Sequence, residues 1–184
     1  MKLKSTYKDA YNKKKVREFL FSYFLDRQLD KIVGLAGPDI NDYVRFCKSK
    51  GFNEFEIFEN NFPTLIHQMQ NIRTRSKIAI KYTDILNADA SRGNVLFDLD
   101  FCVTARYMKE HIKKFKDNFI MTFSRRIKDV ETIRTFFKCR GENIITEQEF
   151  MSPIKHKLFT TNGGEYIYVN YRDTSNMCCI AKIK

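Results

Sequence analysis

Residues 31–60 read KIVGLAGPDINDYVRFCKSKGFNEFEIFEN, and the order of parts in this run is strand, glycine turn, amphipathic helix, strand, acid. Lys31 to Leu35 is a short apolar run suited to a buried parallel strand, and Gly34, Ala36 and Gly37 supply small residues where the chain turns sharply. None of them carries a side chain large enough to obstruct a ligand approaching the backbone. Pro38 suits the first helical position, where its missing N–H costs nothing. Ile40, Tyr43, Val44 and Cys47 then recur at helical spacing on one face, and Gly51 ends the helix. Phe55, Ile57 and Phe58 form the second strand, and Glu59 stands at its end, about 20 residues past the turn, where an acid can bond ribose hydroxyls. An ordinary βαβ unit without a ligand is the plainer alternative for the same residues.

Outward from this unit the alternation continues. Residues 6–29 form a predicted helix with Val16, Phe19, Leu20, Tyr23 and Phe24 on one face and lysines on the other. After Glu59, residues 62–69 read as a short helix beginning near Pro63, and Lys77 to Tyr82 alternates like a strand, with Asp84 directly after it. Val95 to Phe97 runs into DLDFC at 98–102, a strand whose carboxyl end carries two acids. Residues 106–115 form a basic amphipathic helix, 118–123 a strand and 129–139 a helix ended by Gly141, while 143–146 reads as a short extended or irregular piece. Residues 165–171 and 176–183 are two final strands, and the four residues between them fit an antiparallel hairpin. The expected fold class is therefore α/β: a doubly wound, mostly parallel seven-stranded sheet with helices on both faces and a C-terminal antiparallel hairpin.

With 184 residues and no Pro/Gly/Ser-rich linker, the chain is expected to be one domain, 1–184, in which 1–30 is a helical extension and 31–184 the core. No apolar run approaches the roughly 20 residues needed to cross a bilayer, and the basic first residues lack the apolar segment of a secretory signal. Five scattered cysteines, Cys47, Cys102, Cys139, Cys178 and Cys179, point to a reducing cytosol rather than to disulfides or a metal site. The net charge of +11 attracts polyanions, nucleic acid before a membrane surface, although genomic composition bias also yields lysine-rich chains. Its clusters lie at 13–15, 73–77, 109–116 and 125–128. If several share a face they would track a phosphate backbone.

A doubly wound sheet that ends in an antiparallel hairpin resembles the class I, Rossmann-like S-adenosylmethionine-dependent methyltransferases, and the resemblance covers nearly the whole chain from Lys31. VGLAGPD keeps Gly34 and Gly37 of that family's turn, while Ile32 stands where an acid is usual. The resemblance implies S-adenosylmethionine as cofactor, held by Gly34, Ala36, Gly37 and Pro38, with Asp39 near the methionine amine, Glu59 on the ribose, Asp84 at the adenine amine and Asp98 nearby. Asp39 and Asp84 also read as helix-capping or turn acids.

Alternation puts the Asp98 and Asp100 side chains on one side of their strand, so one can touch cofactor or acceptor while the other orients it or takes a proton. Phe101 follows as a ring to stack on a base, or as a core residue. DLDFC lacks both prolines of the family's amino-methylating motif, and Cys102 suggests a nucleophile only weakly. His67, His111 and His156 are far apart, and no metal site is expected; Ser152 to Lys157 is read as a charged loop.

Nucleic acid, RNA or DNA, is the favoured acceptor, and a protein partner or second copy is a further candidate. A noncatalytic methyltransferase-like module that binds nucleic acid or protein is the main alternative, favoured by Ile32 and the missing prolines. A nicotinamide oxidoreductase fits less well, because the three-glycine spacing is absent. The Lys-, Asn- and Ile-rich composition suits a viral or phage source as readily as a cellular one.

Overall fold

A computed structural model describes residues 11–73, 76–91, 94–101, 103–124, 129–151, 153–172 and 175–184. Residues 6–10 of the expected first helix, Cys102, Ser152, the basic run 125–128 and part of the 73–77 cluster lie outside the described residues. The elements in chain order are α1 (Tyr11–Ser22), β1 (Lys31–Gly34), α2 (Ile40–Lys48), β2 (Glu54–Glu59), α3 (Phe62–Asn71), β3 (Lys77–Tyr82), β4 (Val95–Asp100), α4 (Lys109–Ile112), β5 (Phe119–Ser124), α5 (Asp129–Arg140), β6 (Ile144–Phe150), β7 (His156–Thr161), β8 (Gly164–Arg172) and β9 (Asn176–Lys182). Short 3₁₀ turns at Ile85–Asn87 and Ala105–Met108 complete the set.

Among the described residues, nine strands join one sheet in the order β3-β2-β1-β4-β5-β9-β8-β7-β6. The pairings from β3 through β5 are parallel and those from β5 through β6 antiparallel. The fold class is therefore α/β as expected, and the hairpin is β8–β9, but the strand count of seven is corrected to nine and the sheet is divided between parallel and antiparallel halves. The two additional strands are β6 and β7. β6 is exposed along its whole length, so no covered face imposes apolar alternation on IITEQEF. Of the segment read as a charged loop, residues 153–155 lie outside any strand and β7 begins at His156, while Lys155 and Lys157 pair with Glu149 and Glu147 of β6. A second correction concerns 106–115, which is not one helix but a 3₁₀ turn followed by the short α4.

Two cores sandwich the sheet. On one face α1, the turn that follows it and α2 bury Val16, Leu20, Phe21, Phe24, Ile40, Tyr43, Val44 and Cys47 against Ile32, Ile57, Leu96 and Ile120. On the other, Met108, Ile112, Phe115, Ile133, Phe136 and Phe137 cover Val33, Phe97, Leu99, Phe119 and Met121. Each fully buried large apolar side chain contributes about 1.5–3 kcal/mol, so α1, whose Leu20 and Phe21 are fully buried, and the turn after it, whose Phe24 is 1 % exposed, are firmly seated on the sheet. Among the described residues no helix is long and apolar enough to cross a membrane.

Candidate functional site

Four of the five parallel strands, β3, β2, β1 and β4, lie side by side and end in the same direction, so the segments leaving them share one edge of the sheet. A cavity of about 1130 Å³ opens there. Its wall includes Ala36, Gly37, Pro38 and Asp39 after β1, Glu59 at the end of β2, Asp84 after β3, and Asp100 and Phe101 at the end of β4. Eight of the ten predicted site residues are thus brought together. Gly34 and Asp98 are not on the wall; they sit directly behind it.

The turn after β1 is built for a close approach. Gly37 has φ +61°, a left-handed conformation that favours glycine, and its carbonyl accepts a 2.6 Å hydrogen bond from Nε2 of the fully buried Gln68 on α3. A Cβ on Gly34 would stand 2.5 Å from the Tyr43 hydroxyl and 2.8 Å from the Asp98 carbonyl oxygen. The small residue at 34 is required by packing between β1, α2 and β4.

Each of the predicted acids on the wall also has a structural bond. Asp39 caps α2, accepting from the Asp42 amide at 3.3 Å, and Asp84 caps the 3₁₀ turn, accepting from the Leu86 amide at 2.9 Å. Glu59 accepts from the Asn61 amide at 2.8 Å. Burial raises the Glu59 carboxyl above its ordinary range, against the opposing pull of the Asn61 and Asn60 amides. Capping engages particular oxygens and leaves the carboxylates on the wall, so the capping and ligand readings of Asp39 and Asp84 are compatible.

The residues that sequence reasoning missed come from α1. Arg17 forms an ion pair with Asp98 and Lys13 with Asp100. Four helical residues rise about 6 Å and two strand residues about 6.6 Å, so an i, i+4 pair of cations matches an i, i+2 pair of acids on a helix running antiparallel to the strand. This confirms that Asp98 and Asp100 face the same side. Arg17 also lies over the rings of Tyr43 and Phe46, each 5.1 Å from its guanidinium carbon. Asp98 is 3 % exposed. Burial pushes its carboxyl above the usual range, the Arg17 charge pulls it back, and the Asp100 charge adds to the rise.

Beside it the buried Tyr43 hydroxyl faces Asp98 but stops short of hydrogen-bond geometry with any described residue, and burial together with the Asp98 charge holds its phenol well above the ordinary range. Phe101, 8 % exposed, is mainly a core residue stacked on Phe123 at 6.0 Å between ring centres, with one edge at the cavity. The only advance signal for the α1 contacts was the Lys13, Arg17 spacing, which sits among other lysines and does not stand out.

Solved structures share this architecture. A candidate RNA methyltransferase from Pyrococcus horikoshii aligns over 95 % of this chain and 88 % of its own, with a TM-score of 0.55 and 11 % identity. Ribosomal protein L11 methylase from Lactobacillus delbrueckii aligns over 92 % and 77 %, with a TM-score of 0.53 and 11 % identity. A candidate tRNA methyltransferase from Streptococcus pneumoniae, solved with S-adenosyl-L-methionine, aligns over 91 % and 72 %, with a TM-score of 0.51 and 11 % identity. The chain has a methyltransferase fold. No family profile matches the sequence, and no curated protein is significantly similar to it. At such identities the likeness concerns the fold alone.

Proposed function

We propose that this chain is an S-adenosylmethionine-dependent methyltransferase acting on nucleic acid. The observation that carries the reading is the cavity at the carboxyl ends of β1 to β4, walled in succession by the Gly37 turn, Glu59, Asp84 and Asp100. Its volume of about 1130 Å³ is somewhat above that of ordinary ligand pockets, room for a cofactor and the edge of an acceptor. The bound cofactor supplies a methyl group on a sulfonium, which is already a good leaving group. The chain's part is alignment for in-line attack and removal of a proton.

In this reading the turn from Ala36 to Pro38 lets the backbone meet the amino-acid end of the cofactor, with Asp39 beside it. Glu59 accepts hydrogen bonds from the ribose hydroxyls, and Asp84 from the adenine amine. Asp100, half-buried on the cavity wall and held by Lys13, orients the acceptor and takes its proton. Phe101 offers its edge to the acceptor base. Asp98 is a positioning residue, which from behind the wall anchors α1 through Arg17, itself on the cavity wall. The net charge of +11 supports a polyanionic acceptor, as do the neighbours solved as candidate RNA and tRNA methyltransferases.

One observation favours a noncatalytic module instead: both β4 acids already have cationic partners on α1. Incubation of the purified chain with tritiated S-adenosylmethionine and total RNA, DNA or protein separates the two readings. Label in nucleic acid, reduced at least tenfold by Asp100→Asn, is expected. Transfer to no fraction would overturn the catalytic reading.

A further inference from the structure

The loop leaving β4 carries an aromatic side chain that the fold does not use. Tyr107 is 82 % exposed, the most exposed large apolar side chain among the described residues, although its neighbour Met108 is buried and lines the cavity. The 3₁₀ turn that holds both packs on α5, as does α4. Lys109 opens α4, Lys113 directly follows its last residue, and Lys138 stands in the last turn of α5, on which both α4 and the 3₁₀ turn pack, so lysines from two packed elements lie beside the turn. Glu110 is the opposing charge, pairing loosely with Lys109 at 3.5 Å, with both side chains well exposed.

We infer that Tyr107 and the Lys109, Lys113 and Lys138 cluster form a docking surface for single-stranded nucleic acid, which delivers an acceptor base to the cavity. The inference rests on the proposed function for its purpose but on separate residues for its chemistry. A lone exposed ring has two free faces for a base, and stacking on an aromatic is tolerant of sequence. Lysines a few residues away supply the phosphate contacts, and Met108 ties the turn to the cavity wall. An anionic membrane also attracts lysines, but insertion needs a contiguous apolar patch, whereas Tyr107 is flanked by exposed Arg106 and Lys109.

The test is fluorescence anisotropy of the full chain with a labelled, mixed-sequence 20-nucleotide RNA. Tyr107→Ala is expected to weaken binding about tenfold, since stacking contributes about 1–3 kcal/mol per base, while Tyr107→Phe binds like the parent chain. The triple variant Lys109→Gln, Lys113→Gln, Lys138→Gln should flatten the slope of log K against log salt by about 2, at about 0.7 per single-strand phosphate contact. A charge-matched triple at Lys48, Lys77 and Lys155, placed elsewhere on the surface, should lose much less.

Equal losses in both triples, no RNA binding by the parent chain, or Tyr107-dependent binding to phosphatidylserine vesicles in place of RNA would overturn the surface. Calorimetry with S-adenosylhomocysteine, run on the same variants, separates this inference from the cofactor reading. Cofactor binding with RNA affinity insensitive to Tyr107 refutes the surface alone. Tyr107-dependent RNA binding without any cofactor binding supports the surface and removes the catalytic reading.

Discussion

Replacing Arg17 with Met keeps a long side chain against the Tyr43 and Phe46 rings while withdrawing the guanidinium from Asp98. The Asp98 carboxylate is 3 % exposed, and removing one member of a buried ion pair costs about 3–5 kcal/mol, because the remaining charge has neither water nor a counter-charge. The loss must depend on pH. Burial already holds the folded carboxyl above its unfolded value, so the native state binds more protons than the unfolded state in that window and stability declines as pH rises through it. Without Arg17, whose charge pulls the carboxyl down, the window extends further upward. Urea unfolding of the parent and Arg17→Met chains should therefore differ little in acid, near the ordinary carboxylate range, and by about 3–5 kcal/mol at pH 8, with unchanged m values. Adding Asp98→Asn should recover much of the loss and remove the extra pH dependence. A difference at pH 8 below about 1 kcal/mol, the size of a surface pair, or one independent of pH, would refute the reasoning that α1 is anchored by a buried charge.

Gly34→Ala is expected to destabilise the fold by about 1–3 kcal/mol, since the added Cβ meets the Asp98 backbone oxygen at 2.8 Å as well as the Tyr43 hydroxyl; thermal unfolding checks it, and an unchanged midpoint would show that β1 and β4 separate easily. For Glu59 the functional form is the carboxylate, and burial raises its pKa, so affinity for S-adenosylhomocysteine should fall on acidification at a pH above the ordinary glutamate range. Glu59→Gln should weaken that affinity about tenfold or more, in line with about 1.5–3 kcal/mol for hydrogen bonds to charged groups, and should abolish this pH dependence in calorimetric titrations at several pH values.

The segment from Lys31 to Glu59 was readable because each local signal agreed with the next. An apolar run, small residues at a turn and a periodic helix face gave β1, α2 and β2 at nearly their observed limits, and Ile40, Tyr43, Val44 and Cys47 are all buried as the spacing predicts. The acids at strand ends were legible for the same reason, since parallel strands must end on one edge. β6 was not legible, because a strand exposed on both faces carries no periodic signal. β7 had one that was overlooked: Asn162-Gly163 joins two β-prone runs as a two-residue hairpin loop, with Thr161 opposite Gly164. The contacts of α1 were beyond local reading, for Arg17 and Asp98 are 81 residues apart and only the folded sheet brings them together.

The most direct test of the central claim is isothermal titration of the intact chain with S-adenosylhomocysteine at neutral pH. One site of micromolar affinity is expected, weakened in parallel by Glu59→Gln and Asp84→Asn. No heat of binding from either S-adenosylhomocysteine or S-adenosylmethionine, with the parent chain folded, would contradict the assignment of the β1 to β4 cavity as a cofactor site.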